Sequence, residues 1–318
     1  MGQVPLWDPF IFGGVPFLAN SQVGALYPPH WLFLLGPVSS IYSGLIVAHV
    51  WLLAVGTYCL ARKTVQLGRW GATFAGVGLA FGGFVGGMSG HLNQVESFAW
   101  LPFGILGLER TAANRRWRLA FLAALPFALS ALAGHSQVLF LTAILAVLAA
   151  SIRAAIHWRN DRSVGQLGIR RISVDCLRLA TGPVVGILLA AAQLVPTIEL
   201  TRLSIRSHGL SFADAAAFSL PPNRLLSILL PTIGQQPPSS EWFGWVGLSS
   251  LLLAGYGAWR RPSKAILVFA LLAAVGLVFA LGQYTPAYQV AFGFVPGVSL
   301  YRVPARWSWR WRCLAELA

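Results

Sequence analysis

The chain has 318 residues, 56% hydrophobic and only 10% charged, with a mean hydropathy of +0.67. A soluble domain carries about 25% charged residues, so this composition excludes an ordinary soluble protein and points to an integral membrane protein. The formal net charge of +14 would suit a nucleic-acid binder, and the placement of the basic residues decides against that.

The chain opens on an irregular stretch, residues 1–40, dense in proline, glycine and aromatic residues and holding one acid, Asp8. Its tryptophans, tyrosine and phenylalanines suit a membrane–water interface, and its glycines and prolines suit an irregular wall rather than a helix. Apolar segments come next. A bilayer is crossed by about 17–25 mostly apolar residues, and eight segments meet or approach this: 41–61, 70–90, 92–108, 118–134, 137–156, 178–198, 243–259 and 264–282. The third is interrupted early by Asn93, Gln94 and Glu96, and the fourth holds Pro126. The predicted fold class is therefore an all-α, polytopic helical bundle of about eight transmembrane helices.

Charge orients the spans. Arg62, Lys63 and Arg69 share one connection, and Arg110, Arg115, Arg116 and Arg118 the next alternate one. Arg153, Arg159, Arg162, Arg170, Arg171 and Arg178 lie in the third, and Arg260, Arg261 and Lys264 in the fourth. Most of the 23 basic residues thus sit in four short alternate loops, the positive-inside pattern of cytoplasmic connections. The charge is topology, and no nucleic-acid partner is implied. The opposite, extracytoplasmic face then carries 1–40, tight turns near 91 and 135, a loop at 199–242 and the segment 283–318. Between them lie six spans in 41–198 and two in 243–282. Five of the nine acids, Asp8, Glu96, Glu199, Asp214 and Glu241, fall on that face, where function is expected.

Within the second span, Gly78, Gly82, Gly86 and Gly90 recur every four residues, as do Gly83 and Gly87. Stacked GxxxG steps predict a close helix–helix seam. Two similar turns, SGHLNQV at 89–95 and AGHSQV at 133–138, hint at a duplicated helical hairpin. Their residues His91, Gln94, His135 and Gln137 either cap helices or line an outward cavity that contacts a polar substrate or phosphate. No histidine pair stands at a tight ligand spacing such as HxxxH, and Cys59, Cys176 and Cys313 have no metal or redox spacing. No metal site or cofactor is therefore assigned, although a divalent metal is compatible with phosphate chemistry. His49 and Gln193 lie at membrane depth, where polar groups face a cavity or a partner. Near the end, SLYRVPARW places Arg302 and Arg306 four residues apart on the outer side, where guanidinium groups can grip phosphate in two-pronged fashion.

The opening motif resembles the first outer loop of bacterial YfhO-like membrane proteins, through Pro5-Leu6-Trp7-Asp8-Pro9-Phe10, Phe12, Gly14, Pro16, Ala19-Asn20, Gln22 and Tyr27-Pro28-Pro29. Gly90-His91 and Arg302-Val303-Pro304-Ala305-Arg306 extend the resemblance along the chain. It implies a GT-C-like fold in the bacterial cytoplasmic membrane. The implied activity is transfer of sugar from a polyprenyl-phosphate donor to a cell-envelope glycan or lipid acceptor, with membrane lipid around the site. For such a transfer the candidate catalytic carboxylates in this chain are Asp8 and Glu199. Asn20, Gln22, His91, Gln94, His135, Gln137, Arg302 and Arg306 are the candidate substrate-binding residues. Relatives of this kind carry a membrane helix with an acidic segment before the Pro-Leu-Trp motif and continue past the arginine motif, so the chain is expected to be a fragment. The competing expectations are a transporter or lipid flippase, and an inactive fragment.

Overall fold

The computed structural model describes residues 6–160, 164–205, 207–228, 242, 245–260 and 262–307. Pro5, Arg162, Arg206, Glu241, Arg261 and Cys313, much of the 199–242 loop and the last eleven residues lie outside the described residues, as do the side chains of Arg153, Arg159, Arg170 and Arg171.

Among the described residues the chain is helical, and its nearest approach to a strand pair is one antiparallel bridge between Asp8 and Val15. The helices are α1 (Val38–Leu60), α2 (Arg69–Ala80), α3 (Gly83–Met88), α4 (Leu92–Ala99), α5 (Leu101–Asn114), α6 (Trp117–Leu122) and α7 (Ala124–Leu132). They continue with α8 (Ser136–Asn160), α9 (Val164–Leu189), α10 (Ala191–Arg202), α11 (Phe212–Ala215), α12 (Leu248–Arg260), α13 (Lys264–Ala280) and α14 (Pro286–Phe294). Among the described residues three segments are long and apolar enough to cross a membrane: Val38–Val65, Arg69–Met88 and Ile172–Leu189. Shorter apolar helices run over Trp117–Leu132, Ser136–Ile152 and Lys264–Ala280. The chain is thus an all-helical protein with several membrane-crossing candidates.

Apolar residues divide between an inner core and an outer face. Leu53, Leu60, Val95, Phe98, Ile105, Leu141 and Phe269 are fully or almost fully buried in one cluster. Trp51, Trp70, Leu252, Trp259 and Leu267 remain exposed on helix surfaces, as expected of helices whose outer faces meet lipid.

Close helix contacts fall on glycines other than the conspicuous ones. A Cβ at Gly76 would lie 2.7 Å from the Ala54 carbonyl oxygen of α1. One at Gly186 in α9 would meet Ala124 O at 2.7 Å and Phe127 Cβ at 2.6 Å, and Gly182 faces Ala123. The expected seam through Gly78 to Gly90 does not form as a unit. The helix breaks between Ala80 and Gly83, Gly82 packs on its own preceding turn, Gly83 packs closely on the Trp245 backbone, which is not helical, and Gly86 and Gly90 face open space. Four-residue spacing puts glycines on one face only while the helix continues, and here it stops.

Part of the basic charge is folded in. Asp175 of α9 accepts from Arg178 Nη1 at 2.8 Å and pairs with Arg115 Nε at 3.2 Å. The Arg178 guanidinium also lies 5.3 Å from the centroid of the Trp117 ring. This cluster ties the turn between α5 and α6 to α9, at the end of the helices away from His91 and His135.

Candidate functional site: a polar cavity beside an apolar groove

The opening segment reaches the site as a sequence of small, self-capped pieces. Asp8 and Val15 exchange backbone hydrogen bonds at 2.9 and 2.8 Å, and Asp8 Oδ1 accepts from the Phe10 amide at 2.9 Å. The Asn20 side chain caps a 3-10 turn, Ser21–Val23, by accepting from the Gln22 amide at 3.1 Å, and Gly24 closes it in the left-handed region. A Cβ on Gly134 (φ +93) would collide with the Ser21 carbonyl. Only glycine admits both that backbone angle and that approach, so the turn before α8 is a seat for the opening loop.

Buried side chains hold the loop from the other sides. Gln193 of α10 donates to Leu18 O at 2.6 Å, and Thr197 donates to Ala19 O at 2.9 Å. Tyr27 is fully buried. Its hydroxyl accepts from Trp100 Nε1 at 2.9 Å and lies 2.6 Å from His49 Nε2. Because His49 Nδ1 faces the Leu45 carbonyl at 2.7 Å, that nitrogen carries the proton and Nε2 accepts from Tyr27. Burial raises the Tyr27 hydroxyl well above the usual tyrosine range, only partly opposed by the bond from Trp100. His30 completes the set: Nδ1 meets Gly24 O at 3.0 Å and Nε2 meets Glu96 Oε2 at 2.7 Å. Burial disfavours a charged His30, but the hydrogen bond and charge of Glu96 outweigh it and hold the imidazole pKa above its ordinary value.

His49 and Gln193, the two membrane-depth polar residues singled out by the sequence, thus serve as clamps on the opening loop. Glu96, read in the sequence as an interruption of a span and one of five outer-face acids, is the fully buried centre of this network. His30 and Trp100 carried no separate signal, and Tyr27 only that of the opening motif and of an interfacial aromatic. The signal that existed was the carboxylate itself, since an acid in an apolar helix implies a partner.

Beyond the loop lies a polar cavity of about 350 Å³. Gln22 enters it from the loop, His91 and Gln94 from α4 and the turn before it, and His135 and Gln137 from the start of α8. Arg302 and Arg306 enter from the RVPAR segment. Gln137 organises the cationic side: its Nε2 donates to Arg302 O at 2.6 Å, and its Oε1 accepts from Arg306 Nη1 at 2.6 Å. The Val138 amide donates to His135 Nδ1 at 3.2 Å, and Arg306 Nη1 lies 3.4 Å from His135 Nε2; both neighbours are donors, and a neutral ring accepts from only one of them. Between the arginines, Val303 holds φ +67, a sparsely populated backbone region for a β-branched residue that costs about 1–3 kcal/mol. Gln94 Oε1 is buried without a hydrogen-bond partner.

Asn93, Ser136 and Tyr301, which lie inside the quoted motifs but are not singled out there as site residues, also line the cavity. Ser136 and Tyr301 also line a second space of about 490 Å³. That groove is mainly apolar, with Phe127, Leu139, Phe140, Ile187 and Leu194 among its walls, and Arg202 also lines it. A polar, cationic chamber therefore adjoins an apolar channel.

Three sequence-derived candidates stand apart from the cavity lining. Asn20 supports Gln22 through its cap. Asp8 sits in the bridged hairpin, with one carboxylate oxygen on the Phe10 amide. Glu199 is exposed near the end of α10. A different acid, Asp214, lies 3.7 Å from the Arg302 guanidinium. Among the described residues no three His, Cys, Asp or Glu side chains converge in a way that could hold a metal ion. No protein-family model, curated protein or solved structure matches the chain.

Proposed function

We propose that this chain is a GT-C-like, YfhO-like glycosyltransferase of the bacterial cytoplasmic membrane, working at the extracytoplasmic face with about eight transmembrane helices. It transfers sugar from a polyprenyl-phosphate donor to a cell-envelope glycan or lipid. The observation that supports this is the adjacency of the two spaces: a chamber with two arginines shares Ser136 and Tyr301 in its wall with an apolar groove. A phosphate joined to a long apolar chain matches that division.

In this reading Arg302 and Arg306 grip the phosphate and stabilise the charge that develops on it as the sugar leaves. His91, Gln22, Gln94 and His135 position the sugar hydroxyls, and Gln137 aims Arg306. A carboxylate takes the proton of the attacking acceptor hydroxyl, a contribution of about 10²–10⁴ in rate. Asp8 and Glu199 remain the sequence-based choices, and Asp214 joins them by its place beside Arg302.

The test supplies membranes containing the protein with a labelled polyprenyl-phosphate hexose and follows label into the envelope fraction. Arg306→Ala is expected to cut transfer by about 10²–10³, the effect of removing one preorganised charge-stabilising donor. Transfer that survives Arg302→Ala and Arg306→Ala unchanged would remove the arginines from the site. Asp8→Asn, Glu199→Gln and Asp214→Asn then identify the base by which of them abolishes transfer.

One observation favours a second reading. The cavity lining holds histidines and arginines but no carboxylate among the described residues, which suits a transporter or lipid flippase that only carries a lipid phosphate. Movement of labelled lipid phosphate across proteoliposomes, without sugar transfer, distinguishes it.

A further inference from the structure

We propose that Glu96 is a positioning residue for the polar cavity, acting through protonated His30 to fix the loop wall that carries Gln22. The inference rests on the cavity being a ligand site.

The geometry makes His30 a bridge. One ring nitrogen faces the carbonyl of Gly24, the residue that closes the 3-10 turn holding Gln22, and the other faces Glu96 of α4. Both partners are hydrogen-bond acceptors when Glu96 is ionised, so both contacts are satisfied together only by the doubly protonated ring. α4 also begins at the cavity, with Asn93 and Gln94 in its first turn and His91 just ahead of it. The pair therefore joins two walls of one chamber.

Loss of the His30 proton breaks this arrangement. A neutral imidazole donates from one nitrogen only, so either Gly24 or Glu96 loses its bond. The carboxylate is fully buried, and its other oxygen, Oε1, already has no hydrogen-bond partner. Leaving such a charge without its counter-ion is strongly unfavourable, and movement of the loop relieves it.

Among the described residues, the groups that face the pair supply no fixed cation in place of His30. Tyr27 from the loop and His49 from α1 face the pair, with His49 Nδ1 3.8 Å from Glu96 Oε1 but bonded to Leu45 O. Trp100 contributes only its indole N–H, which goes to Tyr27. On the far side of α4, Ser97 and Ser130 of α7 exchange hydrogen bonds at 3.1 and 3.0 Å, and the His135 amide donates to Ser97 Oγ at 3.3 Å. The His135 ring is engaged with Val138 and Arg306.

The raised His30 pKa sets the sign of the pH dependence. Because the shift is upward in the folded protein, the latch is complete below the ordinary imidazole value and is lost as pH rises through the raised one. Hydrogen exchange of the segment 21–34 in detergent-solubilised protein reads the latch directly. After correction for the intrinsic base-catalysed rate, wild-type protein should exchange at least about tenfold faster at pH 9 than at pH 6, a factor equivalent to 1.4 kcal/mol. His30→Lys keeps a cation at both pH values and should stay protected at pH 9. His30→Gln and Glu96→Gln should exchange fast at both. Equal wild-type protection at the two pH values overturns the proposal.

Binding of a polyprenyl phosphate in the same micelles separates this idea from the cavity reading. Wild-type affinity should fall about tenfold or more from pH 6 to pH 9, against the rise expected from the second ionisation of the phosphate near pH 6, and His30→Lys should not show the fall. Protection that follows pH while affinity does not would overturn the positioning role alone. Affinity indifferent to both pH and Arg306→Ala would instead overturn the cavity as the ligand site.

Discussion

Gly90 and Gly134 occupy equivalent places in two nearly repeated turns, yet the structure gives them different work. Gly134 is at φ +93 with the Ser21 carbonyl against it, whereas a Cβ on Gly90 meets nothing within 4 Å. Gly134→Ala should therefore destabilise the protein by roughly 1–3 kcal/mol through backbone strain alone, and further by unseating the opening loop. Gly90→Ala should stay within about 0.5 kcal/mol. Thermal unfolding of the two variants in the same detergent checks the contrast, and equal losses would show that the loop does not dock on the second turn. The sequence made both histidine–glutamine turns visible as a pair, and both do line the cavity. It could not show that only one of them receives the loop, because docking is a contact between segments more than 100 positions apart. Contacts between segments 22 to 73 positions apart likewise hid His30 and Tyr27, whose roles depend on α4, Trp100 and α1. Asp8 stood out as the lone acid of a special loop, but its place is set by the Phe10 amide and the bridge to Val15.

At the scale of helices, the sequence drew attention to the wrong glycines. The 78–90 pattern is dense, but Phe81 ends α2 and the chain turns there into α3. The close approaches occur where Gly76 of α2 meets α1, where Gly182 of α9 meets Ala123 and, in α6, Ala120, and where Gly186 of α9 meets α7, so that carbonyl oxygens and side chains of the neighbour fill the space a Cβ would need. Gly186 lies in the sequence GPVVG, a small-xxx-small step that promotes close membrane-helix contact. Pro183 within the same turn marks it less as a seam than as a break. Gly186→Val should push α9 away from α7 and cost about 1–3 kcal/mol or more, as overpacking does. Gly86→Val, with open space at its Cβ, should cost much less. Chemical unfolding midpoints of the two variants provide the measurement, and a Gly186→Val protein as stable as wild type would mean that the α7–α9 contact is loose. Helix positions were legible because hydropathy is local. Helix partners were not, since a glycine ridge says that something can approach and not what does.

For the whole molecule, the decisive segment is the pair α4–α5. It is absent from the three helices that are long and apolar enough to span a membrane, yet the charge alternation needs it to cross. The 8-residue α4 and the 14-residue α5, joined at Trp100, reach roughly 34 Å end to end at 1.5 Å per residue, against a hydrocarbon core of about 30 Å. Two acids argue against insertion by composition, Glu96 and Glu109, and both are buried inside the protein. Glu96 meets lipid nowhere, because His30 and the neighbouring helices enclose it, and burial against partners is how membrane proteins accommodate ionisable groups. Single cysteines at the exposed positions Ser89 and Asn114, in a background where Cys59, Cys176 and Cys313 are replaced by serine, test the crossing. With a membrane-impermeant maleimide on intact cells, Ser89→Cys should label at once and Asn114→Cys only after permeabilisation. Labelling of both from one side would mean that α4–α5 returns without crossing. The basic turn at 115–118 would then share a face with the cavity, and the phosphate-binding reading would lose its orientation together with the eight-span fold.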